Sequence, residues 1–246
     1  TDRLGWLHSL TSQHLESLEP GSPVEALVLS PNGHVEHVLA GVDDGTRMLA
    51  WTEPGRAAAL VDFLTSMRFT MRVEVRPRDD LRLAWVGNDV EIPREWTHRP
   101  ALGGREVFRP ADAPLSGGRP AGTWAFDAHR IASGTPRIFV DTDARTIPNE
   151  IGLFGTHLDK GCYRGQETVA RVHNLGRPPR RLTLLHLDGT ADVLPAAGSA
   201  LELDGRPVGF VGSSARHHEL GPIALGLVKR AIPVDATLTA DGIAAA

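Results

Sequence analysis

In the run Lys160-Gly161-Cys162-Tyr163-Arg164-Gly165-Gln166-Glu167, residue types and spacing point to chemistry, and Cys162 is the one cysteine among 246 residues. A lone thiol has no intramolecular disulfide partner and cannot build a multi-thiolate metal site. Packing, single-thiol chemistry and an intermolecular bond remain. The neighbours argue against simple packing. Gly161 and Gly165 bracket the cysteine, as glycines do where a chain turns tightly or approaches a ligand. Lys160 and Arg164 lie two residues to either side, and nearby cations favour the nucleophilic thiolate.

Other constellations are weaker. Neither glycine pair has the G-x-x-x-x-G-K-[ST] spacing of a phosphate loop. His217-His218 and the pair His34 and His37 lack a patterned third ligand, so no metal site is expected. A Cys–His nucleophile pair would need His157 or His173 as base to Cys162, and such partners are spatial rather than sequential. Glu167 and Arg171 would form an i, i+4 pair if their segment is helical.

The elements that must position the loop follow from periodicity. Residues 3–18 carry Leu4, Leu7, Leu15 and Leu18 on one helical stripe, ended by Pro20-Gly21. Val24–Ser30 and His34–Ala40 read as strands around the turn Ser30-Pro31-Asn32-Gly33. Arg47–Trp51 is a short strand. Thr52 caps a helix from about Pro54 with Leu60, Leu64 and Met67 on its inner face. Met71–Arg76 and Leu81–Val86 alternate as half-buried strands, which suggests a helix on an antiparallel sheet over 46–87. Residues 99–122 read as a long connection with a short strand at Glu106–Phe108. A helix is expected at Thr123–Ser133, and residues 165–173 fit either a helix or a strand. From Arg180 onward the strands Leu182–Leu187, Ala200–Leu203, Val208–Ser213, Ile223–Lys229 and Thr237–Thr239, with Asp204-Gly205 as a hairpin turn, suggest a small barrel.

Composition sets outer limits. Hydrophobic residues make up 41% of the chain, enough for a substantial core, and no apolar run approaches the ~20 residues of a membrane span. The formal net charge of −4 argues against direct nucleic-acid binding. One cysteine and no signal peptide point to a reducing cytoplasm. The chain opens at Thr1 without a methionine, directly in a helical pattern, and is expected to be a fragment. Residues 241–246 are expected to be a frayed or truncated end.

The octet around Cys162, followed by Val169-Ala170-Arg171, resembles the signature of the YgfZ family of folate-binding proteins, relatives of the glycine-cleavage T-protein. Asp2-Arg3-Leu4-Gly5-Trp6-Leu7-His8-Ser9-Leu10-Thr11-Ser12-Gln13 is similar to that family's opening helix. Leu29–Gly33, Arg130–Pro136, Ile147-Pro148-Asn149-Glu150 and Val208–Ser214 match in the expected order. The resemblance implies an α+β, three-domain cloverleaf. Residues 1–45 with 123–178 would form a discontinuous folate-binding domain, and 46–122 an inserted ferredoxin-like α+β domain with a Pro/Gly-rich connection. Residues 179–246 would form a C-terminal antiparallel β-barrel. It further implies tetrahydrofolate, or a one-carbon derivative, as cofactor.

In the aminomethyltransferase an aspartate beyond the hairpin turn assists the transfer, whereas His37 and Val38 stand in the corresponding places here. A pterin-binding glutamate is replaced by Ala132. Function therefore shifts, on this resemblance, from one-carbon transfer toward support of iron–sulfur cluster assembly or repair in client enzymes, including radical enzymes that modify tRNA. Cys162 would be the functional thiol with Lys160 and Arg164 beside it, and Arg130, Tyr163, Gln166 and His37 would serve the folate or shape its surroundings. Partners would be folate and transient iron–sulfur client or assembly proteins, with no membrane. The alternatives are a folate-dependent aminomethyl or other one-carbon transferase and a Cys–His thiol hydrolase.

Overall fold

A computed structural model describes residues 2–246 of the chain. They form two compact units. One joins the residues up to Pro120 to Phe154–Gln166, and the other joins Ala121–Leu153 to Glu167–Ala246.

The first unit contains α1 (Arg3–Leu10), β1 (Pro23–Leu29), β2 (Val35–Asp43), β3 (Met48–Trp51), α2 (Ala57–Ser66), β4 (Leu81–Val86), β5 (Thr97–Ala101) and β6 (Gly104–Pro110). Two antiparallel three-stranded sheets result, in the orders β1-β2-β3 and β4-β6-β5. The β3 strand bonds to β2 across the expected boundary at residue 45. Trp6 and Leu7 of α1, Leu60 and Leu64 of α2, Val24 and Ala26 of β1 and Leu39 of β2 pack together with Leu15 as one core. Phe108 of β6 packs with Val42 and Leu49 in a second cluster. Between the sheets, buried Glu106 accepts from Arg99 Nε and from Trp51 Nε1, both at 2.7 Å.

Four expectations need correction here. The second helix begins at Ala57 with Arg56 as its N-cap, so Thr52 does not cap it. The opening helix stops at Leu10 rather than running to residue 18. Thr11 is extended and the Ser12 N–H donates to the Leu27 carbonyl at 2.8 Å, so the chain continues alongside β1. Leu15 remains fully buried, so its spacing recorded burial and not helix. Met71–Arg76 forms no ladder. Val73 and Val75 still pack against the first core, which explains an alternation without a strand. The connection over 99–122 hides a β5–β6 hairpin turned at Leu102-Gly103. Pro100 is tolerated because β5 is an edge strand.

The second unit contains α3 (Thr123–Ala132), a 3-10 turn at Pro148–Ile151, and α4 (Gln166–Leu175), which settles the undecided segment as helix. Its strands are β7 (Arg180–His186), β8 (Ala200–Leu203), β9 (Arg206–His217), β10 (Gly221–Lys229), β11 (Leu238–Ala240) and β12 (Ile243–Ala245). They form one six-stranded antiparallel sheet in the order β12-β11-β8-β9-β10-β7. Its edges meet, because His186 and Ala246 exchange both backbone hydrogen bonds, at 2.7 and 3.0 Å. The expected frayed end is therefore a strand that closes the sheet on itself, with Asp241-Gly242 as its hairpin turn. The interior holds Leu185, Leu201, Val211, Ala224 and Val228. Ile223 and Leu225 of the same β10 strand face Ala128 and Ile131 of α3. Burial on both faces accounts for the near-continuous apolar run of β10.

Candidate functional site

The Cys162 loop lies in the first unit, and its thiol is exposed. Anchors flank it on both sides. On the N-terminal side Lys160 is buried. Its Nζ donates to the carbonyl of His8 and, at 2.6 Å, to that of Thr11, at the end of α1. Burial lowers the Lys160 ammonium to about 8, with Glu16 acting weakly in the opposite direction. The Tyr163 ring lies 4.9 Å from the same nitrogen. Tyr163 is itself buried, which raises its phenol above the ordinary value.

On the C-terminal side, Gly165 sits at φ +82°, where a Cβ would meet the Ser30 carbonyl oxygen at 2.5 Å and Gly33 Cα at 2.8 Å. The loop therefore lies directly on the β1–β2 turn, at a place only glycine fits. Arg164 reaches from the same loop to Glu36 at 3.0 Å, an exposed pair worth about 0–1 kcal/mol. Gln166 closes the turn, its N–H donating to the Tyr163 carbonyl at 3.2 Å and its side-chain amide to the Lys160 carbonyl at 3.4 Å. The backbone leading into the loop is held by Ser12. Its hydroxyl donates to the Gly155 carbonyl at 2.6 Å and accepts from the Leu27 N–H.

The structure thus brings Cys162, Lys160, Tyr163, Arg164 and Gln166 into one loop. The Lys160 ammonium donates to carbonyls at the end of α1, while the thiol is exposed. Arg164 remains the exposed cation of the loop. His37 lies in the same unit, on β2. Val28 pairs with His37 and Leu29 with Val35, so Glu36 is the extra residue of a bulge. A bulge breaks the two-residue alternation, and Glu36 and His37 are both partly exposed while Val38 belongs to the core. The His37 Nδ1 is buried with no hydrogen-bond partner among the described residues. Burial lowers the basicity of this imidazole, and the ring lies 5.5 Å from that of Phe63.

Arg130 belongs to the second unit, and its guanidinium is fully engaged there. It donates to Asp141 at 2.9 Å, to the Thr135 carbonyl at 2.7 Å, to Ser213 at 2.7 Å and to Asp127. Asp141 is fully buried and also accepts from the backbone of Arg137 and Ser213. A Cβ on Gly212 would strike its carboxylate. Arg130 and the Val208–Ser214 segment are thus explained by one buried ion-pair network, which leaves the guanidinium no free N–H for a ligand.

No protein-family model matches the chain. It is 43% identical over 79 residues to the tRNA-modifying protein YgfZ of Escherichia coli, a match to 31% of this chain and 24% of that protein. Against the YgfZ of Yersinia enterocolitica the identity is 43% over 75 residues, 29% of this chain and 22% of the relative. A putative chloroplastic transferase of Arabidopsis thaliana is 32% identical over 116 residues, 46% of this chain and 26% of that protein. The matched stretches span about a quarter of the length of these relatives. Among solved structures, the glycine cleavage system aminomethyltransferase T from Bartonella henselae has a TM-score of 0.79. That likeness covers 100% of this chain and 79% of the other at 18% identity. The chain is thus similar over part of its length to proteins named YgfZ and to a putative transferase, and in fold to the aminomethyltransferase.

The fold is accordingly the mixed α/β fold of the aminomethyltransferase, ending in a sheet-rich, barrel-like unit. The sequence placed Thr11 and Ser12 in the family-like opening stretch but gave them no role, because a short Thr-Ser pair does not show that its backbone and hydroxyl groups hold the thiol loop. Sequence reasoning missed Asp141, although an arginine and a Gly-Ser pair that match one family pattern were a usable signal for a shared carboxylate.

Proposed function

We propose that this chain is a tetrahydrofolate-binding, YgfZ-type accessory protein that supports iron–sulfur cluster assembly or repair in client enzymes, with Cys162 as its functional thiol. The observation that carries this reading is the exposed thiol on a loop anchored at both ends. An exposed cysteine in a floppy segment would need no such framework. One cysteine can offer a single ligand to a shared cluster and cannot hold one alone, so contact with clients would be transient. The relatives named as tRNA-modifying proteins support tRNA-modifying radical enzymes as one client class. The proposal carries a cytoplasmic setting; no helix among the described residues is long and apolar enough to cross a membrane.

A folate would find a fitting side chain in His37, whose orphaned Nδ1 can serve a polar edge of a ligand. Arg130 does not fit as a direct contact, because its N–H groups are already bonded. A transferase reading draws support from the relative named as a putative transferase. It is the lesser reading because Val38 is core and His37 is an imidazole where the transferring carboxylates would stand. The test is complementation of a deletion strain. Cys162→Ser is expected to lose the iron–sulfur enzyme activity that the unaltered chain restores, and full restoration would overturn the thiol role. Calorimetry with tetrahydrofolate is expected to show binding that His37→Ala weakens about tenfold, the scale of one lost buried hydrogen bond. Formation of methylene-tetrahydrofolate from an amine donor would favour the transferase. Absence of folate binding would leave a thiol hydrolase.

A further inference from the structure

We infer that Lys160 is the positioning residue of the thiol loop: it caps the buried end of α1 and so holds residues 160–166, with Cys162, in one fixed conformation. The inference rests on the reading of Cys162 as the functional thiol. In a continuing helix the His8 carbonyl would accept from Ser12, but the Ser12 N–H is committed to Leu27. The His8 carbonyl is thereby orphaned at a buried helix end, a costly state unless another donor arrives. Lys160 supplies that donor, and it serves the Thr11 carbonyl as well. A cation at a helix C-terminus is also favoured by the helix dipole. The partners lie about 150 positions earlier in the chain, so the contact fastens the loop to a remote element.

The chemistry of the contact suits a permanent peg. Among the described residues no carboxylate pairs with Lys160, and both acceptors are neutral carbonyls. An amine keeps two N–H groups after losing its proton, so the two bonds survive in either charge state. The lowered ammonium basicity of this buried group is consistent with that arrangement. Tyr163, adjacent to Cys162, rests against the same nitrogen. Gly165 on the β1–β2 turn pins the far side. Cys162 is therefore suspended between two fixed points, and the Lys160 amine is bonded to carbonyls of the α1 end.

The test compares the unaltered chain with Lys160→Met, by amide hydrogen exchange and by the pH profile of Cys162 alkylation with iodoacetamide. Exchange of the Gln166 amide, which donates to the Tyr163 carbonyl, is expected to rise at least about tenfold, while the Ala26 and Leu39 amides keep their protection. The alkylation midpoint is expected to stay where it lies in the unaltered chain, because Lys160 donates to carbonyls and, among the described residues, not to the thiol. A shifted midpoint, or unchanged protection of the Gln166 amide, overturns the inference. Should Lys160→Met fail to fold, the unaltered protein gives the answer through amine acetylation, since Lys160 and Lys229 are its two lysines. Buried Lys160 is expected to react at least about tenfold more slowly than exposed Lys229 in the folded state and equally in denaturant. Equal rates in the folded protein overturn it. These readings do not depend on folate or clusters, so a failure of the proposed function in complementation leaves them distinct.

Discussion

At the scale of single residues, the octet around Cys162 divides its tasks by direction. Lys160 and Tyr163 point inward and fasten the loop, while Cys162 and Arg164 face outward. Gly165 is the joint between these halves. Replacing it with alanine adds a Cβ at 2.5 Å from the Ser30 carbonyl oxygen and imposes a side chain on a left-handed backbone. Gly165→Ala is expected to lower unfolding free energy by about 1–3 kcal/mol, read from urea titration. A change within experimental error would mean that the loop does not rest on the turn. The sequence singled out all five loop residues but did not reveal the partners of the lysine. Charge proximity along a chain says nothing of which way a side chain turns, and here the ammonium donates to carbonyls about 150 positions away.

At the scale of elements, periodicity recorded burial more reliably than hydrogen bonding. Leu15 is buried without a helix, and Val73 and Val75 are half-buried without a ladder. Where strands pair with sequence neighbours, as at Ser30–Gly33 and Asp204-Gly205, turn residues revealed them. The β5 strand was illegible because Pro100 suits only an edge position and the other residues before Ala101, Thr97, His98 and Arg99, are all polar. The β12 strand was illegible because three residues carry little pattern and pair partly with the distant end of β7. Its structural weight is testable. Ile243→Ala is expected to cost about 2–4 kcal/mol in urea unfolding, because Ile243 is part of the barrel interior. Val234→Ala, at a position 83% exposed, is expected to change stability by less than about 0.5 kcal/mol. Equal small effects would return residues 241–246 to the status of a frayed end.

At the scale of the whole molecule, ion pairs join segments that the apolar cores leave at their margins. In the second unit Arg180 on β7 binds Asp143 at 2.7 Å and Glu150 at 2.7 Å. Burial works to raise the Asp143 carboxyl. The hydrogen bonds from Arg180, Thr146 and the Arg145 backbone outweigh it and hold the group down at about 2. The carboxyl is thus more acidic in the folded chain than in the unfolded one, so its stabilisation is present in full above about pH 4 and is lost as pH falls toward 2. Asp143→Asn is expected to lower the thermal midpoint at pH 6 and to leave it nearly unchanged near pH 2. A difference that persists undiminished at pH 2 would exclude this carboxylate as the acid-sensitive link.

The amino-acid sequence alone determined the resemblance of the Cys162 octet to one family, the all-β character beyond Arg180 and the α3 helix. Each of these rests on local information, namely residue identity, spacing and turn chemistry. Tertiary structure alone decided that the opening helix breaks at Leu10, that Lys160 serves α1 carbonyls, and that Arg130 is bound up with Asp141. It also decided that the chain's last strand closes a barrel. The reason is common to all four: a buried donor or acceptor must find a partner, and the partner it finds is chosen by proximity in space, which the order of residues does not state.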